Sequence, residues 1–152
     1  MMPIDDPTPE RLRRIPSRQL TQAAAHAHRI VAHRLADFRT HHYAVMAALD
    51  EAGPCSQAAL GRMCRMDRSD IVTAVDDLAA RGLVVRSPDE TDRRRNTVSL
   101  TPEGSGMLRH LDEQVRLAQD DLFEPLSPEE RAHLASLLGR VLEYHTHLDG
   151  TH

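Results

Sequence analysis

D-R-R-R-N-T-V-S-L-T-P-E-G, residues Asp92 to Gly104, sets three consecutive arginines at a turn between two short β-prone runs and follows them with a helix start. Just upstream, Asp67 to Gly82 reads D-R-S-D-I-V-T-A-V-D-D-L-A-A-R-G, a helix capped by Asp67 and stopped by Gly82. Helix, strand, Arg-tipped hairpin and return strand make the layout of a winged helix-turn-helix. Such a helix can enter a major groove while a basic hairpin reaches the adjacent minor groove. The expectation is sequence-specific binding of double-stranded DNA.

Working outward, apolar residues at helical spacing continue on both sides. Leu20, Ala24, Ala27, Val31 and Leu35 mark a first helix opened by Pro16 and Ser17. Thr40 to Glu51 makes a second, with Tyr43, Met46, Ala47 and Leu49 inward, ended by Gly53-Pro54. Ser56 caps a short third helix through Met63, and Asp67 caps the fourth, with Ile71, Val75 and Leu78 toward the core. Leu83 to Arg86 and Thr97 to Leu100 are the wing strands, with the tip between them. Thr101 caps a fifth helix, and Ser127 with Glu130 forms a capping box around Pro128 for a sixth. The expected fold is mainly α with a small two-stranded β wing, a winged helix-turn-helix with terminal dimerisation helices. Its parts are a disordered arm (1–15), a first dimerisation helix (16–38), the DNA-binding lobe (39–101), C-terminal dimerisation helices (102–148) and a disordered tail (149–152). The apolar stripes on the first, fifth and sixth helices are too long for the small lobe to cover, so a homodimer is expected.

Composition narrows the class. Aromatics are 3% and Trp is absent, so the core must come from Leu, Val, Ala and Met. All the basic residues are arginines, which suit bidentate phosphate and guanine contacts, although an Arg- and Ala-rich chain also fits a GC-rich coding bias. The net charge of -4 is polarised. From Pro54 to Thr101 eight arginines (62, 65, 68, 81, 86, 93, 94, 95) meet seven acids, whereas from Arg109 onward four arginines meet nine. A local basic patch is enough for a DNA footprint. No apolar run reaches the roughly 20 residues of a membrane span, no signal peptide opens the chain, and two cysteines suit a reduced compartment. A cytoplasmic protein without membrane association is expected.

The chain resembles the MarR family of bacterial transcriptional regulators from about Ser17 to Leu148. The resemblance rests on D-x-R followed by V-x-L-T-x-x-G (Asp92, Arg94, Val98, Leu100, Thr101, Gly104) and on D-R-S at the recognition-helix start with D-D-L-A-A-R-G-L-V at Asp76 to Val84. It implies a triangular winged-helix dimer joined through its terminal helices, acting on a pseudo-palindromic operator as a repressor. It also implies release by a small anionic aromatic ligand bound between the dimer helices and the lobe. Arg18, His42 and Tyr43 are the candidates for that cleft; Arg18 can pair with a ligand carboxylate or form an internal salt bridge.

Arg94 matches the family's minor-groove arginine, and a cation gains there from the negative potential of narrow A·T-rich grooves. Asp92 is expected to brace the wing by pairing with a nearby arginine, leaving Arg93 and Arg95 for phosphate or sugar. On the recognition helix Arg68, Ser69, Asp70, Thr73, Ala74 and Asp77 face outward. Arg68 can take guanine O6 and N7, and Ser69 and Thr73 can meet phosphates, base edges or a thymine methyl. Asp70 can accept from cytosine N4 or simply favour the helix dipole. Ser56 and Gln57 can hold a phosphate with backbone amides. Arg62 and Arg65 join the set as phosphate contacts or intramolecular pairs, and Arg86 is also expected among the DNA-binding residues.

Other classes are poorly supported. Ten histidines include only i,i+2 and adjacent pairs (His26/His28, His145/His147, His41/His42), which point apart on a helix, so neither a metal site nor a cofactor is expected. Cys55 lies just before a helix N-terminus, which can lower a thiol pKa, and a metal- or redox-responsive regulator using His and Cys stays an alternative. A winged-helix protein-interaction module is another, opposed by the intact Arg93-Arg94-Arg95 wing. No phosphate loop, nucleophile elbow or paired-carboxylate cleft suggests an enzyme.

Overall fold

The computed structural model describes residues 6–150. One helical turn, α1 (Glu10–Arg13), precedes α2 (Pro16–Leu35) and α3 (Thr40–Ala52). Then come β1 (Cys55–Ser56), α4 (Gln57–Cys64), α5 (Arg68–Ala80), the wing strands β2 (Val84–Pro88) and β3 (Asn96–Leu100), α6 (Pro102–Leu122) and α7 (Pro128–Asp149). The arm expected to be disordered therefore contains a helical turn, with Pro9 ahead of it fixing φ at -52°. At the other end Asp149 closes α7; residues 1–5 and 151–152 of the expected arm and tail lie outside the described residues.

The sheet has three strands in the order β1-β3-β2, all antiparallel. The two-stranded wing pairs Val84 with Leu100 through Pro88 with Asn96. The third strand, absent from the expectation, is only Cys55 and Ser56, opposite Val98 and Thr97. Two residues are too short for any period to be read, but they tie the start of α4 to the base of the wing.

Hydrophobic burial centres on the lobe. Leu35 of α2, Val45, Met46 and Leu49 of α3, Leu60 of α4, Ile71, Ala74, Val75 and Leu78 of α5, Val84, Val98 and Leu108 and Leu111 of α6 form one buried cluster. Helix α6 also packs along α2, where Arg34 donates twice to Asp121 at 3.0 and 2.7 Å.

The V-x-L-T-x-x-G motif is the joint between wing and α6. The Thr101 hydroxyl donates to the Gly82 carbonyl at 2.7 Å and accepts from the Gly104 N–H at 3.0 Å. The Thr101 N–H in turn donates to the Leu83 carbonyl at 3.0 Å. Gly82 turns out of α5 with φ +73°, in the left-handed region that glycine adopts freely. Gly104 is buried where α6 meets Leu83, so close that a Cβ would strike the Leu83 carbonyl oxygen.

Helix α7 differs from the other long helices. None of its residues is buried, and Leu137, Val141, Leu142, Tyr144 and Leu148 are 41 to 65% exposed.

Candidate nucleic-acid interface

Helix α5 is positioned by its own first turn. The Asp67 carboxylate accepts the Asp70 N–H at 2.9 Å and the Ser69 hydroxyl at 2.8 Å, and these bonds hold its pKa below the ordinary value. The exposed face that results carries Arg68, Ser69 and Thr73, with Asp70 half-buried. Ala74 is the exception to the expected face: it is 2% exposed. At about 100° per residue it lies roughly 40° from Leu78 and roughly 60° from Ile71, at the edge of the core stripe.

The expected DNA-contacting cations divide into two groups. Arg62, Arg68, Arg93 and Arg94 are exposed, and their guanidinium groups make no hydrogen bond or ion pair within the described residues. The others are engaged. Arg65 donates to Thr146 Oγ1 of α7 at 3.0 Å, and Arg95 lies 3.9 Å from Asp92. Arg86, expected among the DNA-binding residues, points into the protein, donating through Nε to Gln57 Oε1 (2.9 Å) and through Nη2 to Asp76 (2.6 Å). Gln57 is thereby occupied as well, and the Ser56 hydroxyl is spent as the α4 cap, accepting from the Ala59 N–H at 3.1 Å.

The wing tip is built from aspartates. Asp89 accepts from the Thr91 N–H and hydroxyl at 2.9 and 2.8 Å, and Asp92 Oδ1 accepts from the Arg94 N–H at 3.0 Å. The Arg95 N–H also donates to the Asp92 carbonyl, and the Asp89 N–H to the Arg95 carbonyl. Asp92 thus shapes the loop mainly through the backbone, and Arg94 projects from a closed turn.

Two acids on α5 would repel a phosphate backbone, and each has a partner. Asp76 takes Arg86; Asp77 takes His42 at 3.2 Å. His42, expected to line a ligand cleft, is 3% exposed and bridges α3 to α5. Its Nδ1 accepts the Arg39 N–H at 2.9 Å, so Nε2 carries the hydrogen and donates to Asp77. Phe38 packs edge-on to its ring, and Arg81 lies over Phe38, 4.5 Å from the centroid.

Burial lowers the His42 pKa from 6.5, against the hydrogen bond it donates to Asp77, which raises it. A base with a depressed folded pKa stabilises the fold above its unfolded pKa and loses that contribution as pH falls toward the folded value. Urea midpoints should therefore drop between pH 8 and pH 5.5, and His42→Gln should flatten that particular decline. An unchanged slope in the variant would remove His42 as its source.

Tyr43 is half-buried between α3 and α6, donating to Asp112 at 2.6 Å; burial and that carboxylate push its pKa to about 12. Arg18 is exposed near the start of α2. The cysteines correct another expectation. Cys55 does lie directly ahead of Ser56, the cap of α4, but burial pushes both thiols up rather than down. Among the described residues no cluster of three His, Cys, Asp or Glu could hold a metal.

Residues 36–95, from the end of α2 to the wing tip, match the MarR family model. A crystallised probable transcriptional regulator from Pseudomonas aeruginosa is 34% identical, with 86% of this chain and 98% of that one aligned at a TM-score of 0.78. The chain belongs to the MarR family. Members of the MarR family are transcriptional regulators, not enzymes. A putative transcriptional regulatory protein for the hcr operon of Thauera aromatica is 40% identical over 86 residues, 57% of this chain and 52% of that protein. The PcaV transcriptional regulator of Streptomyces coelicolor, solved with its natural ligand, is 28% identical, covering 87% and 94% of the two chains at a TM-score of 0.74. The chain spans between 46% and 64% of the length of the first curated relatives it matches.

Sequence reasoning missed the engagement of the α5 acids. The Asp76-Asp77 pair was visible, but its partners lie 10 and 35 residues away, on other elements.

Proposed function

We propose that this protein is a homodimeric transcriptional regulator that binds a pseudo-palindromic operator sequence-specifically and is released from it by a small ligand, acting as a cytoplasmic repressor. The supporting observation is a set of four guanidinium groups without a partner among the described residues, Arg62 and Arg68 on the helix-turn-helix and Arg93 and Arg94 on the wing. Arg68, with Ser69, Asp70 and Thr73 beside it, reads base edges in the major groove. Arg94 enters the adjacent minor groove, while Arg62 and Arg93 take phosphates. Arg65 and Arg95 join them at the backbone, with Ser56 and Gln57 offering main-chain amides.

The second copy is argued from α7. A helix of 22 residues with no buried side chain and an apolar stripe needs a partner, and a two-fold pair would cover both stripes together. Two recognition helices then lie about one DNA turn apart in successive major grooves. Among the described residues no helix is long and apolar enough to cross a membrane.

The ligand-bound state of PcaV supports effector control here. An anionic aromatic compound would bind between the dimer helices and the lobe, with Arg18 for its carboxylate and the Tyr43 ring beside it. Release follows if the ligand prefers a dimer whose lobes are wrongly spaced for DNA, so that binding shifts the population.

Fluorescence anisotropy with genomic fragments, including the region upstream of the protein's own gene, tests this at several salt concentrations. Tight, salt-sensitive binding to one palindrome over bulk competitor is expected; equal weak binding to every fragment would favour a protein-interaction module. Removing residues 127–152 should leave a monomer by light scattering that no longer binds the operator. A truncated, folded monomer with full affinity would overturn the role of α7.

A further inference from the structure

The arrangement around Arg86 touches every element that the DNA-binding reading uses. Arg86 stands in the middle of β2, opposite Val98 of β3. Its Nε reaches Gln57, the first residue of α4, and its Nη2 reaches Asp76 in the third turn of α5. The side chain is 29% exposed, against 59% for the Asp76 carboxylate it neutralises. Next to this contact β1 runs directly into α4 from its pairing with β3. One planar group therefore joins the wing base, the opening of α4 and the recognition helix at fixed angles.

We propose that Arg86 is a positioning residue rather than a phosphate contact, holding the recognition helix and the wing at the angle at which Arg68 and Arg94 reach their two grooves together. Asp76 and Gln57 are the other members of the device. Diverting Arg86 to a phosphate would abandon Asp76, a carboxylate on the face turned to DNA, and the repulsion would offset the new contact. Keeping Arg86 on Asp76 silences that charge and stiffens the joint. Specificity suffers most when the joint loosens, because a short operator is read only when both grooves are engaged at once.

This inference rests on the reading of the protein as a sequence-specific DNA binder, and it makes opposite predictions from a phosphate contact. Asp76→Asn, Arg86→Ala, Arg86→Lys and the Asp76→Asn/Arg86→Ala double variant would be titrated against the operator and against an unrelated duplex at four salt concentrations. Melting temperatures would be recorded alongside.

For a positioning role, Asp76→Asn lowers the ratio of operator to unrelated-duplex affinity by about tenfold, the scale of one lost base contact. Arg86→Ala lowers it similarly and leaves the salt slope unchanged. The double variant is no worse than Arg86→Ala alone, since both break one link. Arg86→Lys does not rescue, because a point charge cannot bridge Gln57 and Asp76. For a phosphate contact, Asp76→Asn frees the arginine and removes a repelling charge, so both duplexes bind more tightly at an unchanged ratio. Arg86→Ala then reduces the salt slope by about one. That pattern, or variants indistinguishable from the parent protein, overturns the proposal. A parent protein without preference for any duplex overturns the regulator reading and this one with it, whereas a discriminating parent with unaffected variants overturns the positioning role alone.

Discussion

Gly104→Ala should lower the stability of the protein by about 3 kcal/mol, the upper end of what overpacking a well-filled site costs. The added methyl would collide with the Leu83 carbonyl oxygen and lie 2.8 Å from Leu100 Cδ1. Neither neighbour can retreat cheaply. The Leu83 carbonyl accepts the Thr101 N–H, and the Thr101 hydroxyl holds both Gly82 and the first turn of α6. Moving Leu83 would open the joint between wing and helix and disturb a residue that is itself in the core. The neighbouring glycine is a built-in control. A Cβ on Gly106, in the same helix, meets only the tip of Arg109 at 3.9 Å. Gly106→Ala should therefore be neutral or stabilising by up to about 1 kcal/mol, the helix-propensity gain of Ala over Gly. Urea denaturation of the two variants reads the contrast directly. Equal midpoints would mean that the joint is plastic and that the motif is not held by close approach.

Arg94→Ala should weaken operator binding by about tenfold to a hundredfold while leaving the melting temperature where it was. Stability is spared because the Arg94 guanidinium has no partner inside the described chain; what shapes the tip is the Arg94 N–H on Asp92, which alanine keeps. Affinity is lost because a minor-groove arginine works by sitting in focused negative potential, which its neighbours on the loop cannot reach. Arg93→Ala supplies the comparison. A phosphate contact removed there should weaken every duplex alike, whereas Arg94→Ala should act most on operators with an A·T-rich flank. A large drop in melting temperature for Arg94→Ala would assign the residue to the fold instead.

The helices and the wing were legible because their signals are local: caps at Ser56, Asp67, Thr101 and Ser127, a terminating glycine at Gly82, and stripes at helical spacing. Each of those four caps accepts the expected N–H in the structure. What was not legible depends on pairs distant in the chain. An arginine beside a basic hairpin looks like a DNA contact until the fold brings Asp76 within 2.6 Å of it. Resemblance offered His42 for a cleft, and nothing local in the sequence shows that it is buried with the Arg39 N–H on its ring. Ala74 was misplaced for a smaller reason: a short side chain marks neither face, and only the stripe it completes assigns it. Strand β1 is invisible at two residues, since its pairing belongs to β3.

The bare surface of α7 bears on how such a regulator would behave when scarce. An isolated helix draws little stability from its own hydrogen bonds, so its order must come from what covers it. On the dimer proposed above, association and completion of that helix are one equilibrium, governed by chain concentration. Far below the dissociation constant, dimers accumulate with the second power of the number of chains. Operator occupancy would rise steeply at first, giving a genetic switch with a threshold rather than a proportional dial.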